Sequence, residues 1–69
     1  VKYVAIIERE AESWGAYVPD LPGCVAVASS RDRAEALIRE AVVAHVELLR
    51  ERGETVPDPS SEAFVVDAL

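Results

Sequence analysis

Apolar residues cluster and alternate in short runs over the first third of the chain. From residue 34 onward they recur at three- and four-residue spacing, and that change of period separates strands from helix. Tyr3, Val4, Ile6 and Ile7 are aromatic or β-branched and predict a strand over residues 2–8. Tyr3, Ala5 and Ile7 would face one side of it, with Val4 and Ile6 on the other. Both sides are apolar, which predicts a central strand. The polar stretch from Glu8 to Ser13 predicts a turn or hairpin connection. A second strand is expected over Trp14–Val18, ended by Pro19, which has no N–H to give a ladder. Cys24, Ala26 and Ala28 alternate with Val25 and Val27 in a third strand, and a face of such small side chains lets a helix approach closely.

Between the second and third strands lies Pro19-Asp20-Leu21-Pro22-Gly23. Each proline fixes its own φ and pushes the residue before it, Val18 or Leu21, towards an extended conformation. Pro22-Gly23 suits the centre of a type II turn, where proline supplies φ near −65° and glycine the positive φ. The expected loop is rigid. Its primary reading is a strand connection, and a second reading has Asp20 or Leu21 touching a partner.

Ser30 is the expected N-cap of a long helix, with Asp32 at the positive end of the helix dipole. Ala34, Leu37, Ile38, Ala41, Val42, His45, Leu48 and Leu49 form one apolar stripe. Glu35 and Arg39 make a favourable pair on the solvent side. Gly53 stands where a C-cap is wanted, after Arg50 and Arg52. Pro57 and Pro59 predict a stiff surface connection, and Phe64-Val65-Val66 a last short strand.

The predicted fold is α+β with the order β-β-β-α-β. An antiparallel three-stranded meander carries one long helix on one face, and the final strand pairs parallel to the first through a right-handed crossover. One helix covers only one side of the sheet. Ile6 or Ile7, Tyr17 or Val18, and Val25 or Val27 must then fall partly on the open side, which predicts a homodimer or higher homo-oligomer. Trp14, Tyr17, Asp20 and Leu21 are the candidate interface residues. The two aromatic rings are core material first and interface anchors second.

Composition sharpens this picture. Of 69 residues, 51% are hydrophobic, too many for a disordered chain. Thirteen acidic residues against seven Lys plus Arg give a net charge of −6. Direct nucleic-acid binding is not expected of such a surface, whereas a basic protein partner is. The apolar run at the start is too short to span a membrane, so no membrane partner is expected. Cys24 is the single cysteine, so an internal disulfide is impossible and a cytoplasmic location fits.

No catalytic or metal-binding constellation emerges, and no cofactor is expected. His45 sits alone on the apolar stripe, without the second histidine or cysteine a zinc site needs. Glu8, Glu10, Glu12 and Asp20 could hold a divalent ion but read better as a solvated cluster on turns. Cys24 has no basic neighbour to lower its pKa and reads as a small buried hydrophobe. The chain is read as a non-enzyme.

The run Gly15-Ala16-Tyr17-Val18-Pro19-Asp20-Leu21-Pro22-Gly23-Cys24, then a capped helix with Ala34 near its start, then Pro57-Asp58-Pro59-Ser60, resembles the HicB-like antitoxin family over nearly the whole chain. One departure is Arg33, where the family often has the Glu of a capping box. The resemblance implies a β-β-β-α-β domain similar to a trimmed ribonuclease H fold. It also implies an antitoxin that binds a small basic toxin of double-stranded-RNA-binding-like fold, which cleaves messenger RNA, and masks its catalytic histidine. Full antitoxins of this kind commonly add a C-terminal DNA-binding domain. The expectation here is a single domain over residues 1–69 without one. The alternative is a stand-alone structural or regulatory oligomer of the same fold with no toxin.

Overall fold

The computed structural model describes residues 1–69. Ala11 and Glu12 alone turn the chain between β1 (Ile6–Glu10) and β2 (Ser13–Tyr17), and Ala11 takes a positive φ of 27° to do so. Tight two-residue hairpins need positive φ of this kind to match the twist of their strands. Such a connection locks the register, pairing Glu10 with Ser13 and Ile6 with Tyr17. The strand therefore runs through Glu8, Arg9 and Glu10. The expected strand over 2–8 is shifted towards the turn, and residues 1–5 lie outside the sheet.

β3 (Val25–Ala28) pairs antiparallel with β2, so the sheet order is β1-β2-β3. The meander is as expected, but β2 is the central strand and β1 an edge. The parallel fourth strand is not formed: Phe64, Val65 and Val66 are exposed and unpaired. Both differences share one cause, since only a strand laid beside β1 would have made β1 central.

Two consecutive turns join β2 to β3. The Leu21 N–H donates to Val18 O at 3.1 Å, and the Cys24 N–H to Leu21 O at 3.1 Å. Gly23 has φ +83° at the third position of the second turn, after Pro22, as a type II turn requires. A bond from the Val18 N–H to Cys24 O closes the loop at 3.2 Å.

α1 (Arg31–Glu51) is capped at both ends by the residues the sequence marks. Ser30 Oγ accepts from the Arg33 N–H at 3.2 Å. At the other end Gly53 has φ +69°, with its N–H on Arg50 O and the Glu54 N–H on Leu49 O, a Schellman motif. Glu35 lies between Arg31 and Arg39, one helical turn to either side, and both guanidinium groups hold its carboxyl below the usual range.

The core lies between α1 and one face of the sheet. Ala16, Val18, Leu21, Cys24 and Ile38 are buried together, with Ala34 buried near the helix start. Ile7, Ala26, Ala41, Val42 and Val46 pack around them. The helix leans over β3 and β2 and only brushes β1. This offset brings Val46 inward and leaves Leu48 exposed, which reverses the expected end of the apolar stripe.

Candidate interaction surface

Strand alternation sorts the sheet residues into two sets. Ile7, Trp14, Ala16, Ala26 and Ala28 face the helix side. Ile6, Glu8, Glu10, Gly15, Tyr17, Val25 and Val27 share the other face, by the pairings Ile6–Tyr17–Val25 and Glu8–Gly15–Val27. No element covers that second face. Tyr17 is 41% exposed, Val25 64% and Val27 68%. This is the open side the single helix predicts, with Ile6, Tyr17, Val25 and Val27 on it.

Gly15 has no side chain to contribute, so a shallow depression of about 240 Å³ opens above it. Glu8 and Glu10 border the depression on one side, and Tyr17, Val25 and Val27 on the other. The Glu10 carboxylate leans in, 4.0 Å from where a Cβ on Gly15 would sit. The result is an apolar strip with acidic groups along one margin.

The four candidate residues from the sequence part company here. Tyr17 stands on the open face. Trp14 is on the helix side, half-buried, with the Arg9 guanidinium 5.9 Å from its ring centroid. Leu21 is 1% exposed, so its side chain belongs to the core and is not offered to a partner. The paired turns that make the loop rigid also fold Leu21 inward.

Asp20 holds the chain's own C-terminal region. Its Oδ2 accepts from the N–H groups of Ser60 and Ser61, both at 2.9 Å. Its Oδ1 accepts from the two serine hydroxyls at 3.1 and 2.8 Å. These four donors, the backbone N–H groups of Ser61 and Ser60 foremost, lower the carboxyl from 3.8 to about 2. Nothing in the sequence marks a bond across forty positions, although Pro57-Asp58-Pro59-Ser60 shows the approaching chain to be stiff. Nearby, the Tyr3 hydroxyl donates to Pro57 O at 2.6 Å.

Cys24 is buried, and burial pushes its thiol up, away from the reactive thiolate. His45 is half-buried on α1. No group of three His, Cys, Asp or Glu side chains converges to hold a metal ion, and no helix is long and apolar enough to cross a membrane.

Residues 3–68 match the family described as the HicB-like antitoxin of bacterial toxin–antitoxin systems. The chain is also similar to UPF0150 protein Ta0767 of Thermoplasma acidophilum, with 32% identity over 69 residues that cover 99% of this chain and 100% of the relative. No solved structure matches it convincingly.

Proposed function

Because the chain belongs to the HicB-like antitoxin family, we propose that it binds and neutralises a small basic, messenger-RNA-cleaving toxin through its uncovered sheet face. The observation that carries this reading is the exposed apolar strip of Tyr17, Val25 and Val27 beside Glu8 and Glu10. A water-exposed strip of this kind is stabilised by a partner that covers it. The acidic margin, on a chain of net charge −6, attracts a basic surface and sets its orientation. Neutralisation then needs no chemistry from this chain. A bound antitoxin blocks access to the toxin's catalytic group by occupying the space in front of it. The same reading puts the complex in the cytoplasm, where messenger RNA is.

The test is titration calorimetry against any small basic protein encoded beside this gene. A complex is expected at micromolar concentration or tighter. The E8K/E10K double variant should bind about tenfold or more weakly, ~1.4 kcal/mol or above, and the difference should shrink in high salt. V25D/V27D should remove binding while leaving the helical circular dichroism intact, since both valines are exposed. Absence of any complex at micromolar concentration sinks the proposal. It would favour the second reading, a stand-alone oligomer, for which the unpaired C-terminal segment is the supporting observation.

A further inference from the structure

A groove of about 550 Å³ runs along the outer side of the molecule. Val1, Tyr3, Ala5 and Ile7 line one wall, and α1 lines the other with Ile38 and Val42 together with the charged Arg31, Glu35 and Arg39. It exists because α1 leans towards β3 and leaves the β1 flank uncovered. It lies where a strand added beside β1 would sit. The backbone of Val1–Ala5 makes no backbone–backbone hydrogen bond, so the wall offers free N–H and C=O groups to such a strand.

The chain carries a segment with the complementary properties. Glu62–Leu69 also makes no backbone–backbone hydrogen bond. Phe64 is 84% exposed, Val65 99%, and Leu69 stands fully in solvent. Ala63–Leu69, when extended, spans about 23 Å and matches the seven residues Val1–Ile7 of the wall. Its alternation fits too. Phe64, Val66 and Ala68 share one face, as Val1, Tyr3, Ala5 and Ile7 do on the wall, while Asp67 falls on the opposite face with Val65.

The segment does not fill the groove of its own chain. The Asp20 bonds hold Ser60 and Ser61, and the residues after them stand clear of the body. The radius of gyration, 13.4 Å, exceeds the ~11 Å of a compact domain of this length. We infer that two copies exchange C-terminal segments, each laying Ala63–Leu69 along the β1–α1 groove of the other as an added strand. The arrangement is a closed twofold. It fills both grooves with the two exchanged segments and so does not propagate into a fibre. Two such strands with their grooves bury area on the order of the ~1,200–2,000 Å² of a stable interface.

The inference stands apart from the toxin reading, and its test needs no toxin. Ala5→Cys is placed in one copy and Val66→Cys, which shares its face, in another; the two are co-expressed with tags of different size, and the pair is oxidised. A disulfide-linked heterodimer is expected. The parent chain, whose Cys24 is buried, should give none. Deleting residues 62–69 removes no buried side chain, so the helical circular dichroism should persist while the sedimenting mass drops from dimer to monomer. A parent chain that sediments as a monomer at every concentration would overturn the exchange. So would a dimer mass unchanged by the deletion, or a chain carrying both cysteines that links only within itself.

Discussion

Asp20 is the residue on which the most separate parts of the chain depend. Its carboxylate accepts four hydrogen bonds from Ser60 and Ser61 and is held at about 2, below its ordinary 3.8. A depressed folded-state pKa stabilises the fold above the ordinary value, and that contribution is lost as pH falls through the depressed one. D20N should therefore melt at a lower temperature than the parent chain at neutral pH. The gap should narrow below about pH 3.8 and close below about pH 2, where the parent's own carboxyl becomes neutral as the amide is. Thermal melts across that range read it directly, and a gap that stays constant would show that the carboxylate's charge is not what holds the serines. The sequence places Asp20 in a conspicuous loop but cannot show what it binds. Leu21 shows the same limit, because a rigid loop is legible in two prolines and a glycine, whereas the side on which it buries its leucine is decided by packing.

Elements were legible in proportion to how local their determinants are. The Pro22-Gly23 turn, the Ser30 cap and the Gly53 stop each rest on one or two side chains, and all three are found where the residues put them. Replacing Ser30 by Ala should cost about 1 kcal/mol, measured by chemical denaturation. Arg33 has no carboxylate to reciprocate, so this hydroxyl is the whole side-chain cap. A cost near zero would mean that packing of Ala34 and Ile38 alone fixes the helix start. The first strand was less legible. The apolar run Tyr3–Ile7 outweighs the charged residues after it, yet the Ala11-Glu12 turn, which has none of the usual Asn or Gly, carries the ladder to Glu10. The open face was foreseeable from counting helices. The acidic edge on it was not, because Glu8 and Glu10 read as turn residues until the register puts them beside Gly15 and Val27. The apolar stripe of α1 misplaced Val46 and Leu48, since a helix set off-centre rotates the stripe's far end.

Taken whole, the molecule is a slab 45 by 29 by 15 Å, with a layer of strands, a layer consisting of one helix, and just six fully buried residues. So thin a domain gains much of its hydrophobic stabilisation from whatever covers its outer surfaces. Two such surfaces are distinct in place and chemistry: the acid-edged sheet face, and the groove beside β1. The two proposed partners, a second copy and a toxin, would therefore not compete for one surface. The unpaired C-terminal segment has a further consequence, for lifetime. A protease must draw several extended residues into its cleft, and Glu62–Leu69 is such a stretch in a solitary chain. In the proposed exchange another copy sheathes it, and that handle is gone. The protein should then survive longer the more of it there is. Chymotryptic cleavage after the exposed Phe64 should slow as the protein's concentration rises at a fixed enzyme-to-substrate ratio.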